Sequence, residues 1–396
     1  MKIYLNKTVY EAAIERIAFF YDEFPNVVIG ISGGKDSTVL FNLAYLVAKQ
    51  KERLPLNVFW IDQEAEWQGT VDMCQWIMTH QDVKPYWYQM PMVITNNASS
   101  YERYEYCWDE KQKDKWIHPK HELSIKTNNY NEIRFHKLFK AIMAVEFKGE
   151  KACYLAGVRT EECPKRFISL TEKCCYKYIT YGSKLTSREE HYTFYPIYDW
   201  TFYDIWKAIH QNGWKYNHVY DELYQMGVSF KDMRISNIHH ETSIQSLMLI
   251  QEIEPDTWDR VVNRMGNVQA IKHLKKCSFV CPSEYPNAFE SWVDYAEYLI
   301  ENIIQESQYK IDLRKRLNKG LSLYTDTEIQ KRFVQTVINT ILSSDWDWTK
   351  LTNFHLRDYA YTYRRWKAGE VDPMMLRDTS CLPSYAIRDL KRKLNQ

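Results

Sequence analysis

The run Val27-Val28-Ile29-Gly30-Ile31, followed at once by Ser32-Gly33-Gly34-Lys35-Asp36-Ser37, constrains this chain more than any other segment. The first five residues are apolar without alternation, the pattern of a strand buried on both faces of a parallel sheet. From Thr38 to Lys49 the apolar positions Leu40, Phe41, Leu43, Ala44 and Leu46 return at helical spacing. A turn between such a strand and such a helix aims backbone N–H groups at one point, which makes it an anion site. Gly33 and Gly34 let that backbone approach a phosphate closely. Ser32 and Ser37 add hydroxyl donors, Lys35 a positive charge and Asp36 a carboxylate.

The flanking segments predict the sheet around this turn. Thr8 and Glu11 form a capping-box pattern ahead of a helix, with Ile14, Ile17, Ala18 and Tyr21 on one face, and Pro25 ends it. Further strands are expected at Leu56–Ile61, Lys84–Gln89, Lys151–Gly157 and Tyr192–Ile197. Helices are expected at Thr70–Met78, Asn131–Phe147 and Thr201–Gln211. Strands alternating with helices predict an α/β fold, a parallel sheet with helices on both faces. Residues 91–130 break the rhythm with tyrosines, tryptophans and charges, and read as a cap over the sheet's carboxyl edge. Beyond about residue 243 strand signals vanish, and helices are expected at Ala288–Ile304, Glu328–Leu342 and Phe354–Lys367. The expected division is a nucleotide-type α/β domain over 1–242 and a helical domain over 243–396.

In an open parallel sheet ligands bind beyond the carboxyl ends of the strands. Two further clusters stand at such ends. Asp62, Glu64 and Glu66 follow the second strand, and carboxylates there could hold Mg²⁺ or contact a ribose; Asp36 and Asp62 are the expected metal ligands. Gly157-Val158-Arg159 through Arg166 follows a later strand. Arg159 and Arg166 could clamp phosphate with planar donor forks, with Glu162 orienting one of them.

The turn fails the Walker A pattern, which needs Gly where Ile29 stands and Ser or Thr where Asp36 stands. It resembles instead the PP-loop of enzymes that cleave ATP between its α and β phosphates. With Gly157 to Arg166, Tyr195-Pro196-Ile197-Tyr198-Asp199-Trp200-Thr201 and Asp204-Ile205-Trp206, residues 20–245 resemble the phosphoadenosine phosphosulfate reductase superfamily. Met233-Arg234-Ile235-Ser236 and Pro255-Asp256-Thr257-Trp258 are similar to its IbrA-like branch, named for a co-activator of prophage gene expression. The resemblance implies an adenine-nucleotide α-hydrolase-like (Rossmann-like) fold with ATP and Mg²⁺ in the cleft. It further implies Ser32 to Ser37, Asp62, Glu64 and Gly157 as nucleotide-binding residues, with Lys35, Arg159 and Arg166 as the catalytic set. It also implies a partner of ParB-like type. Sulfonucleotide reductases carry a cysteine in a Glu-Cys-Gly-Leu-His setting; Cys381, in Thr379-Ser380-Cys381-Leu382-Pro383, does not match it.

Composition narrows the rest. No run of about 18 apolar residues predicts a membrane span, and the first residues lack a signal-peptide pattern, so a cytoplasmic protein is expected. The nine cysteines are scattered. Cys174-Cys175 and Cys277-x-x-x-Cys281 do not have the spacing or order of the relatives' iron–sulfur ligands, which argues against a cluster. Adjacent His239 and His240 are poorly placed to share one zinc. Lys111 to Lys126, with Trp116, His118 and His121, could receive a nucleic-acid strand. A net charge of +1 gives that reading no support. The aromatic content of 15% is expected to serve packing before base stacking.

Overall fold

Alternation along the first strand, β1 (Asn26–Gly30), sets the layers of the α/β part in the computed structural model. Val27 and Ile29 face one helical layer, with α1 (Val9–Glu23), α2 (Lys35–Gln50), α3 (Gln68–Met78) and α6 (Phe202–Asn212). Val28 faces the other, where Leu138, Ile142 and Met143 of α4 (Phe135–Glu146) complete the core. The structure describes residues 5–96, 103–171, 175–177, 180–186, 189–230, 233, 235, 238, 244–265, 281–324 and 326–355.

Seven strands form the main sheet. β2 (Leu56–Ile61), β3 (Val83–Tyr88), β6 (Ala152–Leu155) and β9 (His191–Phe194) join β1 in parallel. β8 (Thr180–Lys184) and β7 (Cys175–Tyr176) add an antiparallel edge. The order is β3-β2-β1-β6-β9-β8-β7. The chain therefore leaves β1 in one direction for β2 and returns on the other side as β6, so a topological switch point lies between β1 and β6. β4 (Met92–Thr95) and β5 (Tyr104–Cys107) make a separate two-stranded sheet. The α/β fold with helices on both faces is thus as expected. The short pairs β4–β5 and β7–β8 were not, because two to five residues give no readable period, and neither was the eight-residue α5 (Pro164–Thr171).

The capping box is present: Glu11 N donates to Thr8 Oγ1 at 3.2 Å and Thr8 N to Glu11 Oε2 at 2.9 Å. The aromatic residues largely pack, as in the Phe20–Phe194 stack at 4.4 Å and Trp60–Trp87 at 5.2 Å. In the described part of segment 91–130, Ile125 bridges Tyr88 and Trp108 is fully buried. None of the described helices is long and apolar enough to cross a membrane.

The chain divides into two compact units. The first comprises residues 1–94, 106–238 and 243–264; it therefore includes α7 (Val219–Gln225), α8 (Ile244–Ile253) and α9 (Pro255–Arg264). The last two follow the position expected to end the α/β domain. The second comprises 95–105, 239–242 and 265–396. Its described core is built by α10 (Trp292–Asn302), α11 (Ser307–Leu323) and α12 (Thr327–Leu342), through Leu299, Ile300, Leu313, Leu317, Phe333 and Val337. The helix expected at Phe354–Lys367 lies largely outside the described residues, as do Cys174, Cys277, Cys381, His239 and His240.

Within this second unit α11 meets α12 where Gly320 leaves room for Phe333; a Cβ on Gly320 would sit 2.0 Å from the ring's Cζ. Gly320→Ala is expected to cost about 1–3 kcal/mol by overpacking, read as a lowered denaturant midpoint of the helical unit. Phe333→Leu in the same background should recover part of that loss; an unchanged midpoint in Gly320→Ala would contradict this packing.

Candidate functional site

At the carboxyl end of β1 the chain turns through Ser32, Gly33 and Gly34 and enters α2 at Lys35. Gly33 has φ +66°, and a Cβ there would lie 2.9 Å from the carbonyl oxygen of Thr70, so conformation and space both require glycine. The turn is braced internally: Ser32 N donates to Ser37 Oγ at 3.1 Å, and Ser37 Oγ donates to Gly34 O at 2.9 Å. Asn217 Nδ2 reaches Gly33 O at 3.3 Å and Thr70 Oγ1 at 3.2 Å. The first-turn N–H groups of α2 lack intrahelical acceptors and give the turn its positive electrostatic end.

The loop after β6 closes on this turn. A Cβ at Gly157 would lie 2.9 Å from both Asp36 C and Ser37 N, so only glycine permits the approach. Two residues on, Arg159 is buried and donates through Nε to Asp36 Oδ1. Lys35 Nζ donates to the other oxygen of Asp36 at 2.9 Å. Asp36 is thereby held between two cations, each of which could turn to an anion seated on the loop. Burial opposes the charge on Lys35, but Tyr220 and Asp36 outweigh it and hold its pKa above the usual value, so the ammonium stays charged.

Sequence reasoning missed Tyr220 and Phe202. Tyr220 is buried, its hydroxyl accepts from Lys35 N at 3.2 Å, and its ring lies 5.4 Å from Lys35 Nζ; that of Phe202 lies at 5.7 Å. A partner 185 residues away carries no local signal. The structure thus brings Ser32 to Ser37, Gly157 and Arg159 together. Arg166 sits on α5 with a half-exposed side chain and an ion pair of 3.7 Å to Glu162. Glu162 in turn accepts from the backbone N–H of Arg159 at 2.8 Å.

Asp62 and Glu64 serve a different network. Asp62 accepts from Glu64 N at 3.0 Å, Trp87 Nε1 at 3.2 Å and Gln89 Nε2 at 2.8 Å, and His118 Nε2 lies 3.2 Å away. Glu64 holds a left-handed backbone, φ +68°, fixed from outside. Its carboxylate accepts from Trp108 N at 2.6 Å and from Arg264 Nε at 2.7 Å. These carboxylates fasten 106–118 and α9 to the end of β2, and no described contact joins Asp62 to Asp36. Among the described residues no group of three or more metal-ligating side chains is gathered.

Residues 26–227 match the phosphoadenosine phosphosulfate reductase domain, and residues 227–388 match a domain of unknown function, DUF3440. The first match spans half of the chain, which therefore belongs to the phosphoadenosine phosphosulfate reductase domain family. The Escherichia coli (strain K12) protein YbdN is 28% identical over 281 residues, 68% of each chain. Among solved structures, the Candida glabrata FMN adenylyltransferase with FMN and an ATP analogue is similar at 13% identity and TM-score 0.33. That match covers 56% of this chain and 64% of that enzyme, just under two thirds of its length. The Candida auris phosphoadenylyl-sulfate reductase, in a phosphate complex, is similar at 15% identity and TM-score 0.31, over 56% and 94% of the two chains.

Two outcomes follow from these networks. Removing one partner of the buried Glu64–Arg264 pair strands the other; Arg264→Met is expected to cost about 3–5 kcal/mol in urea unfolding. A loss below about 1 kcal/mol would place the pair among solvent-screened contacts. The second concerns Glu66, whose pKa is pushed well above the ordinary 4.5, first by burial and then by Asp62. The fold keeps a proton that the unfolded chain releases, so this stability is complete below about pH 4.5 and is lost as pH rises through the folded pKa. Urea midpoints of the wild type should fall relative to Glu66→Gln as pH rises above 4.5; parallel curves would show that Glu66 does not hold the proton.

Proposed function

We propose that the chain binds ATP at the Ser32–Ser37 turn and cleaves it between the α and β phosphates, adenylating an acceptor. The observation that carries this reading is the closure of the Gly157–Arg159 loop onto the turn at the switch point, where a ligand belongs. Pyrophosphate would sit on Gly33, Gly34 and the first-turn N–H groups, with Ser32 and Ser37 as further donors. Lys35 and Arg159 would exchange Asp36 for the phosphates and stabilise the charge that grows there as the bond breaks. Arg166 would engage the acceptor end of the nucleotide from α5.

Asp36 borders the loop and would meet a Mg²⁺ carried by the nucleotide. Asp62 already accepts three N–H groups beside His118, a donor set that suits a structural carboxylate better than a magnesium ligand. The IbrA-like likeness supports a second reading in a cytoplasmic protein, in which bound ATP recruits a ParB-like partner and no group is transferred. Its sequence support includes Pro255 to Trp258, the first turn of α9.

Release of AMP and pyrophosphate should be measured with and without small-molecule, protein and nucleic-acid acceptors. Lys35→Ala is expected to lower that release about a hundredfold or more, the cost of one donor to developing charge. Gly157→Ala should abolish ATP binding. Tight ATP binding with no AMP formed from any acceptor would overturn catalysis; partner capture that then depends on ATP and on Lys35 would favour the second reading.

A further inference from the structure

A cavity of about 530 Å³ opens in the first unit, walled by the turn over 110–120, by Lys126 and by α9. Its charge is strongly biased. Lys113, Lys120, Lys126 and Arg260 all line it, against the single carboxylate of Glu110. Glu110 is spent on Lys120, at 2.6 Å. Among the described residues Lys113, Lys126 and Arg260 form no ion pair. Arg260 reaches only Gln68 Oε1 and Thr257 Oγ1, each at 3.5 Å, and its buried Nε has no hydrogen-bond partner. Lys113 and Lys126 are exposed and solvated, free to turn to an anion, whereas the orphaned guanidinium N–H of Arg260 is costly unless an acceptor arrives to satisfy it.

The wall also carries an aromatic platform that is fixed in place. Lys120 has a side chain only 7% exposed, and its ammonium lies 4.5 Å from the ring centre of Trp116 and 5.7 Å from that of Trp108. Trp116 stands edge-on to buried Trp108 and donates through Nε1 to Asp109 O at 3.1 Å. Below them His118 is anchored on Asp62. The cavity is far larger than a bare phosphate needs and falls within the range of small-ligand sites. Cations that pair with a phosphate, together with an indole that stacks on a base, form the chemistry of nucleotide recognition.

We propose that this cavity is a second anion site that takes a nucleotide, free or at the end of a single strand. Lys113, Lys126 and Arg260 would hold its phosphate, and Trp116 would meet its base. No residue of the phosphate loop lines it, so the two readings can fail separately.

The test is fluorescence anisotropy of the full chain with a 3′-fluorescein-labelled ten-residue oligothymidylate carrying a 5′-phosphate. Thymidine 5′-monophosphate and thymidine serve as competitors. Binding is expected, weakened about tenfold by Lys113→Glu and by Arg260→Gln, the loss of one charge-assisted contact each. It should be unchanged by Lys35→Ala, and ATP binding should be unchanged by Lys113→Glu. Displacement by the monophosphate but not by thymidine identifies a single nucleotide as sufficient. Steep salt dependence without such displacement identifies a strand. Either result supports the proposal. No binding of oligonucleotide or monophosphate overturns it, as does binding untouched by Lys113→Glu and Arg260→Gln, or binding lost in Lys35→Ala.

Discussion

The contact on which the α/β unit's chemistry depends is the approach of Gly157 to the backbone of Asp36 and Ser37. Strand order creates the opening: β1 and β6 are neighbours, yet the chain leaves them in opposite directions, so their end loops diverge unless something draws them together. A glycine without Cβ lets the loops touch, and the Arg159–Asp36 pair ties them. Burial makes the tie asymmetric. The side chains of Arg159 and Lys35 are 6% and 10% exposed, so an unpaired charge there would be expensive, and Asp36 answers both. An incoming phosphate is the kind of group that can take over that role without leaving a cation unsatisfied.

The same logic, applied to Asp62 and Glu64, leads elsewhere. Their position beyond β2 is where a ligand-binding carboxylate could stand, and for that reason the sequence marks them. What position alone does not show is who arrives to meet them. Here indole and amide N–H groups, the amide of Trp108 and the guanidinium of Arg264 consume their lone pairs. Two buried carboxylates with that many donors are rigid, and rigidity at the end of β2 holds the 106–118 segment in a single arrangement. Glu66, nearby and pushed toward its neutral form, avoids adding a third negative charge to that ground.

How much was legible follows from the range of each interaction. The strand–turn–helix at Val27–Lys49, the capping box at Thr8 and the helix at Thr201–Gln211 are written in neighbours, through period and turn chemistry, and they form as read. The convergence of Arg159 on Asp36 was readable only as two strand-end motifs in one parallel sheet; their contact depends on strand order, which no local pattern states. Tyr220 and Arg264 were invisible. Each reaches its partner across some 185 or 200 residues, from helices whose own sequences look ordinary. The segment 91–130 read as a cap because it lacks a period, and its stretch 106–118 is held by long-range contacts of Trp108 and His118 with Asp62 and Glu64 rather than by propensity.

The basic cavity belongs to this last class, and its origin explains why net charge misleads. Over the whole chain 52 basic residues nearly cancel 51 acidic ones, so composition speaks against an anion-binding surface. Screening over about 8–10 Å makes the local balance decide instead. Along the sequence Lys111 to Lys126 alternates with Asp109, Glu110 and Asp114 and looks like a solvated face. Folding sorts it: Lys113, Lys120 and Lys126 go to the cavity, Arg260 is added from α9, and a single carboxylate follows them in. That separation of charge costs free energy which solvent recovers only in part, because Lys120 and the Nε of Arg260 are buried. Burial works against protonation of His118, but Asp62 outweighs it and raises its pKa above the usual value. A wall that accumulates cations around a fixed indole, while the rest of the chain stays balanced, is the arrangement expected where a phosphate ester supplies the missing charge.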